Sequence, residues 1–353
     1  MLKLQATLIE WQPIIGLWLI TKLILLIVGL YASQNPHWWM SWIQWDGPHY
    51  IDIAKYGYET SGEHALWIVF YPLYPLLVKI YSLFLNNYEL AIILVSWVNS
   101  LIAAIALYEI TKQLFNPKIA LKAVWWLLIF PTSFFLQASY TEATYLATSL
   151  VCLSLYLKQK MVPSWIAAYL TGLTRINGLT LVPLFLLTPS KIKDRIIICS
   201  GIVSGFFTYL LINYLLFGDW LHFQQPLLSN WYKKFDYPWN GVISAWQNAP
   251  NLFDLNNYVF TGEIYALAFI FLMLIPIWKY TNLAFFSYTL INLLLFTSTS
   301  FIASTPRYAL ILFPIMICLA QIKNKYLFTL LSIISIGLLI PLTIMYTTGQ
   351  WAF

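Results

Sequence analysis

Trp67-Ile68-Val69-Phe70-Tyr71-Pro72-Leu73-Tyr74-Pro75-Leu76-Leu77 opens an apolar run that extends to residue 85. Whether this run crosses a bilayer sets the side of every segment downstream. Pro72, Pro75 and Lys79 suit a helix lying at the interface better than one passing through it, since proline removes a helical donor and lysine keeps its ammonium near water. The basic residues decide the matter. If 67–85 stays on one side, the short loops holding Lys112, Lys118 and Lys122, Lys158 and Lys160, Lys191, Lys193 and Arg195, Lys279, and Lys323 and Lys325 share one face. With Lys3 these are twelve of the nineteen Lys and Arg residues, and an excess of short-loop cations marks the cytoplasmic side. If the run crosses, that majority moves outward while Lys3 stays in. The reading is therefore a juxtamembrane helix on the outer side.

The composition implies lipid as the solvent. Hydrophobic residues make up 60% of the 353 residues and charged residues 9%, with mean hydropathy +0.73, against roughly 25% charged in a soluble domain. Apolar runs fall at about 14–31, 90–111, 119–136, 140–157, 196–217, 257–278, 281–302, 308–322 and 326–347. Two shorter runs, 163–174 and 177–188, are separated at Thr174-Arg175-Ile176-Asn177. Together they predict about eleven spans, with the N-terminus inside and the C-terminus outside. No small-residue cleavage site follows Ile14 to Tyr31, so that run reads as a retained span. Cys152, Cys199 and Cys318 each sit in an apolar run and read as buried free thiols. No internal repeat is evident, so residues 1–353 are expected to form one membrane domain. The net charge of +6 is dispersed along the chain and does not indicate a nucleic-acid partner.

With this topology the outer face collects ten of the thirteen acids: Asp46, Asp52, Glu59, Glu63, Glu89, Glu142, Asp219, Asp236, Asp254 and Glu263. It also holds both long loops, the first over 32–89 with its juxtamembrane helix and the second over 218–256. Within the first loop, Gln44-Trp45-Asp46-Gly47-Pro48-His49-Tyr50 runs on through Asp52 and Lys55 to Tyr58. Two carboxylates, a histidine, a lysine and several aromatics thus gather beside a Gly-Pro turn that holds Asp46 and His49 together. An ordinary polar loop with interfacial aromatics would read the same way.

Several segments carry a family resemblance. They are Trp45-Asp46 with Ile53-Ala54 and Gly57-Tyr58; Phe70-Tyr71-Pro72-Leu73-Tyr74-Pro75-Leu76-Leu77; Pro131-Thr132-Ser133-Phe134-Phe135 running to Tyr140-Thr141-Glu142; Thr174-Arg175 with Gly178; Phe217-Gly218-Asp219; and Arg307-Tyr308 with Phe313-Pro314. In this order, with a long first outer loop and an aromatic-Asp motif, the chain resembles the PIG-V family of mannosyltransferases, within the GT-C class of membrane glycosyltransferases. The resemblance implies an all-α polytopic bundle, a polyprenyl-phosphate sugar as donor, and Asp46 as the base. It further implies transfer of a hexose, mannose in the family, to a glycolipid or glycan acceptor on the outer or lumenal side. The membrane would be the plasma membrane of a bacterium or the endoplasmic reticulum of a eukaryote.

The chemistry asks for the same groups. Transfer from a lipid phosphate needs a carboxylate to take the acceptor proton and cations to hold the phosphate. Asp46 could instead be a loop-capping acid, and His49 either a phosphate or sugar contact or a structural residue. Tyr50 and Tyr308 join the candidates for substrate contact. Glu142 stands at the outer end of a span, where an acid marks a site or a buried pair. Arg175 and Arg307 fall at outer-side breaks and are candidates for the phosphate, or for pairing with an acid such as Glu142. Asn177 and Asp219 complete the candidate set. Lys22 lies in the first apolar run and is expected to snorkel to the inner surface.

No metal-ligand cluster is visible and no cofactor is expected, although a divalent ion held transiently by Asp46 and another acid stays open. No Asp-x-Asp or Rossmann-like unit supports a nucleotide-sugar route. The alternative from a different class is a polytopic transporter or lipid-linked-glycan flippase. Such a protein should place ionisable residues near the bilayer midplane and often shows two related halves.

Overall fold

The computed structural model describes residues 2–248 and 258–353. Asp254 and the end of the second long loop lie outside the described residues. The regular elements are helices: α1 Leu2–Ser33, α2 Gly47–Tyr56, α3 Leu73–Leu85, α4 Tyr88–Leu114, α5 Pro117–Ile129, α6 Glu142–Leu157, α7 Met161–Gly172, α8 Leu181–Leu187, α9 Ile192–Phe217, α10 Gln224–Ser229, α11 Pro238–Asn248, α12 Tyr258–Tyr280, α13 Leu283–Thr297, α14 Thr305–Ile311, α15 Phe313–Ala320 and α16 Lys325–Thr347. Short 3-10 turns precede or join them at Met40–Trp42, Glu63–Val69, Ser133–Leu136 and Ile176–Thr180. A single isolated antiparallel bridge links Phe235 and Thr299. The all-α expectation holds.

Five helices are long and apolar enough to cross a membrane on their own: α1 from Ile9, α4, α9, α12 from Val259, and α16. The other expected spans are shorter or broken, and the sequence explains why. Pro131 and Pro314 each interrupt a run by removing a donor and constraining the residue before it. The 119–136 run becomes α5 plus the Ser133–Leu136 turn, and the 308–322 run becomes α14 and α15, parted at Leu312. Residues 163–188 break at Arg175, as the sequence indicates. Asparagines cap several starts: Asn87, Asn116, Asn282 and Asn324 accept from backbone N–H groups two or three residues on, satisfying donors a helix end otherwise leaves orphaned.

The decisive run, 67–85, is no straight crossing. Its Glu63–Val69 turn and α3 meet at a bend of 113°. Helix α3 buries Leu73, Tyr74, Val78 and Ser82 and leaves Leu76, Ile80, Leu83 and Phe84 exposed. An element apolar on both faces, one against protein and one outward, fits a helix lying along the bundle in contact with lipid.

Helix α6 is the axis of the bundle, with most of its side chains buried. Small residues allow this: Ser96, Ser100, Ala103 and Ala104 of α4 are fully buried, and Asn99 Nδ2 donates to Thr144 Oγ1 at 2.9 Å. The same logic closes α7 on α9. A Cβ on Gly205 would stand 3.0 Å from the Tyr169 carbonyl carbon and 3.1 Å from Gly172 Cα. Gly201, one turn earlier, faces Ala168 in the same way. Small residues four apart let two apolar helices approach to backbone contact, where dispersion replaces the absent hydrophobic drive.

Two expectations change. Lys22 does not snorkel: it is 2% exposed, and its Nζ donates to the Leu136 carbonyl at 2.7 Å. The Ser133–Leu136 turn leaves that carbonyl without a helical partner, and the Lys22 amine turned inward supplies its donor. Cys199 is half-buried rather than buried, while Cys152 and Cys318 are buried; all three are free thiols. Replacing Gly205 with valine should overpack the α7–α9 seam and cost about 1–3 kcal/mol. The expected readout is a lower thermal unfolding midpoint in detergent; a midpoint equal to wild type would show that the seam is not close-packed.

Candidate active site

Loop and helix ends converge where the first long loop meets the starts of α6 and α14 and the Arg175 break. Asp46 arrives there through a tight turn. Trp45 takes a left-handed backbone, φ +55°, an outlier for a bulky side chain and a place where strain is stored. Gly47 follows, packed against Ser139 so closely that any Cβ would collide with its side chain. Pro48 then starts α2 with its ring at a position that needs no donor. The Asp46 backbone N–H reaches the Tyr140 hydroxyl at 3.4 Å, tying this loop to the residues before α6.

Asp46 occupies the N-cap of α2, yet its side chain makes no capping hydrogen bond. The cap position was the bland alternative for this acid, and the carboxylate does not serve it. Burial pushes the Asp46 carboxyl above the ordinary carboxylate range, against the opposing pull of Arg307 and His49.

Beside it stands a charge cluster built on Glu142. The Glu142 side chain is 1% exposed and pairs with two guanidiniums. Arg175 donates through Nη1 to Glu142 Oε1 and, at 3.2 Å, to Thr141 Oγ1. Arg307 Nε lies 3.3 Å from the same Oε1, off hydrogen-bond geometry, and makes no hydrogen bond among the described residues. Glu142 Oε2 is likewise buried without one. Aromatic faces surround the cations: Arg307 sits 4.9 Å from the Tyr140 ring centre, 5.5 Å from Phe135 and 5.3 Å from Tyr308. The Tyr308 ring also faces Arg175 at 5.4 Å and Lys233 at 5.8 Å. Three cations therefore gather around one phenol, against the two carboxylates Asp46 and Glu142.

The remaining candidates separate clearly. His49 lies in the first turn of α2, close after Asp46, its ring 5.1 Å from Trp67 and 5.6 Å from Phe70. Tyr50 is buried against Phe70 and Tyr74 and packs the base of the loop. Asn177 is buried behind Arg175, where it donates to Asn292 Oδ1 at 2.9 Å; it belongs to a scaffold network with Thr180. Asp219 is an exposed turn acid that accepts from the Leu221 N–H, away from the cluster. Asp52, one turn along α2, is not part of it either.

Three contributors were not singled out as site residues from the sequence. Tyr140 lay in a quoted segment without a role. Lys233, in the second long loop, was given no role. Glu263 was counted among outer acids, although an acid just inside an apolar run is itself a signal. Among the described residues no three His, Cys, Asp or Glu side chains come together to hold a metal.

Comparison with known proteins bears on this geometry. A family model described as Mannosyltransferase (PIG-V) matches residues 27–223. GPI mannosyltransferase 2 of Schizosaccharomyces pombe is 30% identical over 145 residues, which is 40% of this chain and 30% of that protein. Among solved structures, ArnT from Cupriavidus metallidurans bound to undecaprenyl phosphate superposes with a TM-score of 0.58 at 16% identity, over 91% of this chain and 63% of ArnT. The apo oligosaccharyltransferase of Archaeoglobus fulgidus gives 0.52 at 11% identity, over 94% and 56%. The chain thus spans less than two thirds of each of these relatives, and the likeness to solved structures is one of fold, that of GT-C membrane glycosyltransferases.

Breaking the charge cluster should be costly. Glu142→Gln leaves two neighbouring guanidiniums buried without a carboxylate, a change of about 3–5 kcal/mol for a buried pair. Denaturant or thermal unfolding in detergent measures it. Stability within error of wild type would mean that the carboxylate does not hold the two arginines together.

Proposed function

This chain belongs to the mannosyltransferase (PIG-V) family, and from that premise we propose that it transfers a hexose, mannose by family, from a polyprenyl-phosphate carrier to a hydroxyl of a glycan or glycolipid. The observation that carries the reading is the uncapped Asp46 carboxylate set beside Arg307, Arg175 and Lys233. A base and a set of cations next to one another are what attack on a sugar phosphate requires.

In this reading the acceptor hydroxyl attacks C1 of the donor sugar while Asp46 takes its proton. The bond from C1 to the phosphate oxygen breaks, and the lipid phosphate leaves with one more negative charge than it brought. The stereochemistry at C1 inverts. Arg307, whose Nε has no hydrogen bond among the described residues, offers a planar fork that matches phosphate oxygens. Arg175 and Lys233 add positive charge around Tyr308. Glu142 orients the two arginines and keeps them apart from Asp46, which would otherwise pair with one of them and lose its basicity. ArnT, of the same fold, was solved with undecaprenyl phosphate, the kind of carrier such a donor releases.

The site belongs on the outer or lumenal side in this proposal. The cluster lies at the loop end of the bundle, while Lys112, Lys122, Lys158 and Arg195 lie at the other, bound to Glu10, the Ile322 carbonyl, Glu109 and the 186–190 turn. Cations gathered at one end mark it as cytoplasmic.

Purified protein in liposomes, given polyprenyl-phosphate mannose and an acceptor extract, should release the lipid phosphate and label the acceptor. Asp46→Asn should lower turnover by about 10²–10⁴ while the protein stays folded; activity within about tenfold of wild type would remove the base role. Because the Asp46 carboxyl is raised and must be ionised to act, activity should fall as pH drops through a value above the ordinary carboxylate range. An acid limb at or below that range would contradict the assignment.

The phosphate role has its own check. Undecaprenyl phosphate should bind wild type and bind Arg307→Gln at least about tenfold more weakly, the scale of one lost charge-assisted contact. Arg307→Lys should be intermediate, since charge is kept and the fork is lost. Unchanged affinity in Arg307→Gln and Arg175→Gln alike would shift the anchor to Lys233 or His49.

A further inference from the structure

A buried acid outside the charge cluster holds the element that carries Arg307. Glu263, on α12, is 1% exposed. Both of its carboxylate oxygens are used: Oε1 accepts from the Ser304 N–H at 2.6 Å and Oε2 from the Thr305 N–H at 2.7 Å. These are the residues at the start of α14, where Ser304 adopts a left-handed backbone with φ +69°. Among the described residues no Lys or Arg comes within ion-pair distance of Glu263. Its charge is met by main-chain donors that a helix start leaves without partners.

We infer that Glu263 is a positioning residue for the phosphate-binding arginine, clamping α14 so that Arg307 and Tyr308 are held at the site; this rests on the donor reading above. Arg307 lies two residues beyond Thr305. Thr132 Oγ1 also donates to the Pro306 carbonyl at 2.9 Å, so the first turn of α14 is tied both to α12 and to the segment after α5. The grip is needed because α14 is only seven residues long and breaks at Leu312. A helix that short supplies little rigidity of its own. A carboxylate suits the clamp and a carboxamide does not: two adjacent N–H donors need two acceptors, and glutamine would turn its NH2 toward one of them.

Glu263→Gln should therefore loosen the start of α14 without dismantling the bundle. Hydrogen exchange followed by mass spectrometry should show faster exchange in peptides covering 304–311, with α4 and α6 unchanged. Undecaprenyl phosphate affinity should fall about tenfold, on the scale of the contact it misplaces. Glu263→Asp, which keeps both acceptors on a shorter stem, should recover part of it. In the Arg307→Gln background, adding Glu263→Gln should cost little further affinity, because residues acting through one group are not additive. Unchanged exchange over 304–311 overturns the clamp. Faster exchange with wild-type affinity, or full additivity with Arg307→Gln, overturns the positioning role. Wild-type protein that bound no undecaprenyl phosphate would overturn the donor reading instead, and the exchange result would then decide the clamp alone.

Discussion

One carboxylate holds two guanidiniums at the point where three breaks in the bundle meet. Glu142 begins α6, Arg175 follows α7, and Arg307 lies in α14, so the two ion pairs tie those three ends together. A lone acid or a lone guanidinium at that depth would be expensive, and the pairing removes most of the cost. It does not remove all of it. Two cations share a single acid, so the cluster keeps a positive excess, to which Lys233 adds. The excess lies beside Asp46, so a buried carboxylate and a group of cations stand next to one another.

The scaffold makes that arrangement possible by being buried and close-packed behind it. Helix α6 is buried because Ser96, Ser100, Ala103 and Ala104 let α4 come near. Helix α7 is fixed because Gly201 and Gly205 admit it to the surface of α9. Asn177, Asn292 and Thr180 satisfy one another behind Arg175. A polar network with every member partnered rigidifies its surroundings, and here it backs the break from which Arg175 projects.

Much of this was legible in the chain itself. The Asp46-Gly47-Pro48 turn, the breaks at Arg175 and before Arg307, and the bent run at 67–85 all rest on proline, glycine and charge, whose local effects are strong. What could not be read was which partner each group takes. Lys22 was expected to reach the near surface, because nothing in sequence announces the orphaned Leu136 carbonyl across the bundle. Asn177 sits two positions from Arg175 in the chain, yet its side chain turns to Asn292, 115 positions away in sequence and adjacent only once α13 packs against α8. Asp219 lies in a segment shared with the family, but its own turn occupies it. Glu263 was visible as an acid in an apolar run; that it grips the start of α14 depends on tertiary contact alone. Length was misleading too, since the 119–136 and 308–322 runs are each divided near a proline into shorter pieces.

The pairing on Glu142 also has an order in time. Glu142 and Arg175 are separated by 33 positions, so they enter the membrane as parts of adjoining hairpins. Arg307 is 165 positions beyond Glu142 (307 − 142) and arrives only when most of the bundle has been made. A chain synthesised from its N-terminus therefore carries a neutral Glu142–Arg175 couple through assembly. The second guanidinium is added only when α14 docks, so a chain halted before it carries Lys233 and the Glu142–Arg175 couple but not Arg307.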